Sequence, residues 1–402
     1  MRFRLVVACA AASLGLASLA LGCSGSKSGS GFDNGTGADG GAGGGGGGGL
    51  DEAGVFGGGD SSKPPACVPD PGNFEIPNNN CDDDGDGVVD NVVVCDKTLP
   101  MNAGAPDFAR SMGLCNTASG ANDPKWGVIS ATYTKGHNAA GAPADGQHGI
   151  LAKFGGVIKP REGSALGVLS SGWAREFDDV NGATAIFQGG VDMQQSAVAT
   201  AGGAPPGFPK HAQGCPIKSD VYDVITVKLQ IKVPKNAQGL TFDFDFWSGE
   251  WPEYVCTDFN DGFVAWLQSK ALNGGAADNI SFDANKNPVS VNNGFFDRCT
   301  PNTQTGCSGL TPILKTATCP GGTSELQGTG FLAQDVYCTT TSSGGGATGW
   351  LTTTAPVAPG EVISLEFLIW DTGDANFDSS VLLDNFQWVP GPVQTGTQRP
   401  PK

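Results

Sequence analysis

The chain is short of positive charge: 23 lysines and arginines stand against 40 aspartates and glutamates in 402 residues, a formal net charge of −17. Gripping a phosphate backbone needs the opposite balance, so no nucleic-acid partner is expected. Histidine is scarcer still. His137, His148 and His211 are the full set, and no two cysteines form a Cys-x-x-Cys pair, which leaves no ordinary zinc ligand set. There is no Gly-x-Ser-x-Gly elbow either: Leu169-Ser170-Ser171-Gly172 lacks the first glycine, and no histidine is placed to activate a serine there. No window sustains helical periodicity for long. Beyond the first two dozen residues, no apolar run approaches the length of a membrane span.

What is present begins with a leader. Arg2 and Arg4 precede an uncharged apolar run from Leu5 to Leu21, which stops at Gly22-Cys23. This predicts a signal peptide over 1–22. A small residue directly before Cys23 predicts lipoprotein processing, in which the free thiol receives diacylglycerol, although Ala20-Leu21-Gly22 departs from the usual order with Leu first. Each buried methylene of an acyl chain contributes about 0.8 kcal/mol, so Cys23 would hold the protein on a membrane without a spanning helix. Residues 23–63 are rich in Gly, Ser, Asp and Asn, with an unbroken glycine run from Gly43 to Gly49. Such a stretch cannot bury enough apolar surface to offset its chain entropy, and reads as a disordered tether with a reach of roughly 35 Å. Ser24 is the residue type that permits outer-membrane sorting in Gram-negative bacteria, so the expected location is the outer membrane or cell surface, lipid-anchored.

Cysteine usage agrees with export. Cys9 leaves with the leader and Cys23 takes lipid, leaving Cys67, Cys81, Cys95, Cys115, Cys215, Cys256, Cys299, Cys307, Cys319 and Cys338. An even set in an oxidising compartment predicts up to five disulfides, with the pairing open. A small cysteine-rich module is expected over 64–115. Between Cys81 and Cys95, Asp82, Asp84 and Asp86 alternate ahead of Gly87, followed by Val88 and Asp90. Carboxylates at positions 1, 3 and 5, a glycine at 6, a carbonyl at 7 (Val88) and an acid at 9 form the opening of a calcium loop. Position 12 is Val93 rather than a bidentate Glu, so the loop departs from an EF-hand. It resembles the cysteine-bracketed, Asp-rich metal-binding repeats of bacterial surface proteins that follow a Glu-x-x-x-Asn phrase, here Glu75 to Asn79. An incomplete carboxylate set predicts extracellular-grade calcium affinity of about 10⁻⁴ to 10⁻³ M. The plainer alternative is a solvated acidic turn stapled by Cys81 and Cys95.

From Trp126 to Trp388 short alternating runs predict strands. Val227, Leu229, Ile231 and Val233 face one way, and Thr226, Lys228, Gln230 and Lys232 the other. Leu240, Phe242, Phe244 and Phe246 repeat the device against a wet face of Thr241, Asp243 and Asp245, with Pro234 to Gly239 as the turn. Ile363, Leu365, Phe367 and Ile369 form a third strand and Val381 to Trp388 a fourth. The fold class is therefore all-β: a disulfide-stapled, jelly-roll-like antiparallel sandwich over 116–390, followed by a disordered tail over 391–402.

Phe242 to Trp266, FDFDFWSGEWPEYVCTDFNDGFVAW, resembles the signature of the choice-of-anchor L domain. Val128 to Lys135, Ala165 to Gly172, Asn279 to Asn293 and Leu365 to Leu383 resemble its other segments in order. Gly249 stands where that family often has Glu, and Trp251 and Phe377 take Tyr positions. The resemblance implies an exported bacterial surface protein. Its matched acids crowd two loops: Glu250, Glu253, Asp258 and Asp261 in one, Asp371, Asp374 and Asp378 in the other. Unpaired carboxylates at such density raise one another's pKa values, so the two loops are expected to meet around calcium at one end of the sandwich, with solvated acidic turns as the alternative. Asp384, inside the last strand, is expected to make a turn or sheet-edge bond.

The function expected from these features is a calcium-stabilised, non-catalytic binding or adhesion domain, tethered to the membrane by lipid and facing an extracellular glycan or protein. Trp247, Trp251 and Trp350 are candidates for a sugar-stacking platform. Two alternatives stand beside it: an envelope component without a specific ligand, and a glycoside hydrolase using Glu250 and Glu253. The hydrolase would require a closely spaced acid pair with one raised pKa.

Overall fold

A computed structural model describes residues 67–175, 203–212, 214–292, 294–309, 314–332, 338 and 344–400. The apolar leader, Cys23 and the glycine-rich segment lie outside them. One short helix, α1 (Ala105–Ser111), is followed by β1 (Gly127–Thr134), β2 (His148–Leu151), β3 (Leu166–Ser170), β4 (Val221–Lys232), β5 (Gly239–Ser248) and β6 (Gly262–Gln268). Then come the two-residue strands β7 (Asp278–Asn279), β8 (Val289–Ser290), β9 (Gln304–Thr305), β10 (Lys315–Thr316) and β11 (Gly346–Ala347). The chain closes with β12 (Leu351–Pro356), β13 (Val362–Thr372), β14 (Ser379–Val389) and β15 (Gly396–Gln398).

Two antiparallel sheets result. One runs β1-β4-β13-β6-β7 with β8 also on β6; the other runs β15-β12-β5-β14-β3-β2 with β11 also on β5. The alternating residues read from the sequence meet between them: Phe242 packs edge-on to Phe367 at 4.9 Å, and Phe244 lies 5.0 Å from Phe263. Val227, Leu229, Ile231, Leu240, Phe246, Leu365, Val381 and Leu383 fill the same core. Each such side chain contributes roughly 1.5–3 kcal/mol on burial. The chain is thus all-β and sandwich-like, as its alternation predicts.

The outer faces are less wet than alternation implies. Asp243 and Asp245 are buried, because a further layer built from Phe154, Ile158, Leu326 and Phe331 covers the second sheet around Trp247 and Leu382. Arg161 neutralises Asp243 at 3.0 Å, and Thr348 donates to Asp245.

The described part of the cysteine-rich stretch expected over 64–115, residues 67–115, lies in the same compact unit as the strands. Pro106 opens α1, where the missing N–H costs nothing. The helix packs on β1 of one sheet and β3 of the other, with Phe108 pressed on Gly167. Asn236 ties the preceding loop down by exchanging hydrogen bonds with the Phe74 backbone at 2.9 and 2.8 Å.

The tail is also more ordered than its composition suggests. β15 adds to the open edge of β12, and Thr397 Oγ1 reaches Thr353 at 2.9 Å, so the expected disorder over 391–402 does not hold for 396–398. The ten mature cysteines form five bridges: 67–81, 95–115, 215–256, 299–319 and 307–338. The Asp-rich loop is therefore flanked by two disulfides rather than closed by one between Cys81 and Cys95. Among the described residues no helix is long and apolar enough to cross a membrane.

Candidate functional site

The Asp-rich loop is organised around a residue outside the aspartate series. Glu75 Oε2 accepts the N–H groups of Asp83 and Asp84 at 3.0 and 3.4 Å, and Oε1 accepts that of Asp90 at 2.7 Å. Gly85 and Gly87, at φ of 71° and 92°, let the chain turn back on this carboxylate. One oxygen each from Glu75, Asp82 and Asp84 then lie within 4.8 Å of one another. Asp82 Oδ2 accepts the Gly87 N–H at 3.0 Å, while Oδ1 is buried without a hydrogen-bond partner. Burial and the neighbouring acids raise Asp84, and burial raises Glu75 against the pull of its three N–H bonds. An oxygen cluster with an orphaned buried lone pair and, among the described residues, no lysine or arginine bonded to it fits a hard cation.

Two of the predicted ligands are engaged elsewhere. Asp86 accepts the Val88 N–H at 2.8 Å and the Asn91 amide at 2.7 Å. Asp90 caps the preceding turn by accepting the N–H groups of Asn79 and Asn80. Val88 itself is exposed on the turn. The sequence analysis placed Glu75 in the flanking phrase and not among the candidate ligands; the fold brings its carboxylate beside those of Asp82 and Asp84.

The second acidic group sits where β5, β6, β13 and β14 end. Glu250 and Glu253 follow β5, Asp261 precedes β6, Asp371 closes β13, and Asp378 precedes β14. All five are buried. Asp261 is held by the Thr372 N–H at 3.0 Å and the Ser379 hydroxyl at 2.7 Å, and its own N–H donates to Glu250 at 3.4 Å. Gly172 makes room for Asp378: a Cβ there would meet Asp378 Oδ2 at 2.0 Å. Neither oxygen of Asp371 has a partner at hydrogen-bond geometry, although Ser171 and Asp261 lie beside it.

Burial pushes Asp261 up to about 7. Glu250 rises well above the carboxylate range through burial and then Asp261, and Asp371 does so through burial, Asp261 and Asp378. No ion pair compensates Glu250, Asp261 or Asp371 among the described residues. Buried charge of this kind costs several kcal/mol per group unless protons or a cation neutralise it.

Of the remaining residues expected here, Asp374 borders the group and Asp258 is exposed outside it. Asp223 of β4 borders Asp371 and was not singled out by the sequence. This arrangement is looser than the Glu75 loop. Among the described residues, only Glu75, Asp82 and Asp84 bring three carboxylate oxygens within 4.8 Å of one another.

Two of the three proposed stacking residues are buried, and the third, Trp350, is partly so. Trp247 is wholly buried between Phe154 and Phe331. Trp251 is stacked on Phe296 at 4.7 Å with Gly346 pressed on its ring, and Trp350 packs against the outer layer. Large aromatics between turns were drawn into the layers that cover the sandwich. Asp384 makes the turn bonds expected of it, accepting the Arg161, Glu162 and Asn385 N–H groups.

Comparison with known proteins found no match among curated proteins or solved structures. One family model matches, over residues 217–387, and this span holds the whole second acidic group. The match leaves out the Glu75 loop and the two amino-terminal segments Val128–Lys135 and Ala165–Gly172, which nevertheless build β1 and β3 of the sandwich. Residues 217–387 thus match the choice-of-anchor L domain, in agreement with the resemblance carried by Phe242 to Trp266, and the match points to a surface-associated protein.

Proposed function

We propose that the protein is an exported, lipid-anchored surface protein whose sandwich is stabilised by calcium and which binds a partner outside the cell rather than catalysing a reaction. The lipid on Cys23 fixes it to the outer membrane, and the glycine-rich segment spaces the sandwich from the bilayer. The observation that carries the calcium reading is the convergence of Glu75, Asp82 and Asp84 on one point, with a buried Asp82 oxygen lacking any partner. The uncompensated acids Glu250, Asp261 and Asp371 support a second ion at the strand ends. A hydrolase built on Glu250 and Glu253 is disfavoured, since both acids are buried and neither Trp247 nor Trp251 offers a ring face to a sugar beside them.

The test is thermal unfolding of the mature, oxidised protein in EDTA and in millimolar calcium. A site occupied at a hundred times its Kd stabilises by about 2.7 kcal/mol, a rise of a few degrees. Asp84→Asn should remove the contribution of the loop, and Asp371→Asn that of the strand ends. Equal Tm in EDTA and calcium for the native protein would refute the calcium reading.

A further inference from the structure

A cavity of about 240 Å³ opens beside the Glu75 loop, formed by residues far apart in the chain. Its walls come from three distant stretches: the loop (Phe74, Glu75, Asp84), the turn before β1 (Trp126) and β14 (Phe386, Trp388). The aromatic rings are set nearly at right angles. Trp126 and Trp388 are 6.2 Å apart at 88°, and Phe386 and Trp388 are 5.0 Å apart at 81°. The Trp126 indole N–H is spent on the Asn73 carbonyl. That of Trp388 has no hydrogen-bond partner, although the residue is only 8 % exposed. Leaving such a donor unmade costs about 1–3 kcal/mol of desolvation unless a ligand or water accepts from it.

Four further features narrow the ligand class. Asn91, Asn116 and Gln387 add amides to the wall, and no lysine, arginine or histidine lines it, which excludes an anion held by the protein alone. Glu75 and Asp84 belong both to this wall and to the cluster of convergent carboxylates. An ion held there would therefore sit at the edge of the aromatic cavity. Glu162, the third wall carboxylate, has its pKa raised by burial and by Asp96, and its surroundings are unwelcoming to a further negative charge. The volume is somewhat below the roughly 300–1,000 Å³ of pockets for drug-sized ligands, which suits a single ring.

A neutral sugar meets each of these demands at once. Its C–H face packs on indole, its hydroxyls donate to amide and carboxylate oxygens and accept from the Trp388 N–H, and adjacent hydroxyls are good ligands for a hard cation. We propose that this cavity holds one neutral sugar ring against Trp126 and Trp388, with adjacent hydroxyls completing the coordination of a calcium ion on Glu75, Asp82 and Asp84. The inference rests on the calcium reading of that loop and names the partner class of the surface protein.

The experiment applies the mature, oxidised protein to immobilised neutral and uronic-acid oligosaccharides and to choline-bearing beads, each in millimolar calcium and in EDTA, with Tm recorded in both buffers. Neutral saccharides should retain the protein in calcium and release it in EDTA. Trp388→Phe, which keeps a ring and deletes the donor, should weaken retention about five- to tenfold. Asp84→Asn, on the half-exposed loop and independent of the core, should abolish it and serves as the decisive variant should Trp388→Phe fail to fold.

If calcium raises Tm and Asp84→Asn loses that rise, yet no saccharide retains the protein, the sugar site is refuted and the calcium reading stands. If calcium leaves Tm unchanged, the calcium reading falls and this inference with it. Retention that persists in EDTA, or retention only by choline or by uronic acids, also overturns the inference.

Discussion

At the residue scale, the molecule turns on which carboxylates have been taken out of water. Six acids were read as one crowd on two loops together with Asp258, but the structure separates them. Asp258 stays exposed, while Glu250, Asp261 and Asp371 are buried without a basic partner among the described residues. Gly172 shows how tightly that group is closed. A methyl group there would stand 2.0 Å from Asp378 Oδ2 and 2.2 Å from Asp378 Cγ, so Gly172→Ala must displace the aspartate or the strand. The expected loss is about 1–3 kcal/mol, the usual cost of overpacking a filled site. It is read as a lower urea midpoint at unchanged slope; a loss below about 0.5 kcal/mol, the range of ordinary surface changes, would mean that the site is slack.

At the element scale, the segment before the sandwich acts as a wedge. α1 bridges the edges of the two sheets, and the Cys95–Cys115 disulfide closes a stretch of 20 residues around it. Loop-closure entropy for a crosslink of that length is worth about 3 kcal/mol. Replacing both cysteines by serine should therefore destabilise the protein by about that amount in equilibrium denaturation. Because Cys115 and the Glu75 loop also line the cavity, the same variant should show weaker calcium stabilisation. A variant with native stability would show that packing of Phe108 and Met112 alone holds the wedge in place.

At the scale of the whole molecule, the buried acids set the pH response. Burial brings Asp261 and Asp384 to about 7 and raises Glu250 and Asp371 as well. The folded protein then keeps protons that unfolded carboxylates release near pH 4. Stability from these groups is complete below about pH 4 and is lost as pH rises through 7. Asp123, held at about 2 by the Ser119 N–H and hydroxyl and by the Lys125 N–H, acts in the opposite sense, but only below about pH 4. In EDTA, Tm should therefore fall between about pH 4.5 and 7.5, and millimolar calcium should flatten that fall by replacing protons with metal. A Tm that rises over this window in EDTA would contradict the burial of these acids.

The division between what was legible in the sequence and what was not follows from the range of the interactions. Strand alternation, the acidic turns with their glycines and the even cysteine count are local or compositional, so the sequence determined by itself that the chain is all-β, sandwich-like and disulfide-rich. Val227 and Phe242 could be assigned to a core face because a side chain's face depends only on its neighbours two residues away. Which cysteines pair, that Asp243 and Asp245 are covered, that β15 finds the edge of β12, and that Trp251 lies on Phe296 all depend on residues far apart in the chain. Glu75 and the Trp126–Trp388 cavity belong to the same class. No spacing rule links positions 75, 126 and 388; the tertiary structure alone decided that they meet, because packing the loop and α1 against the sandwich buries apolar surface that none of them can bury alone.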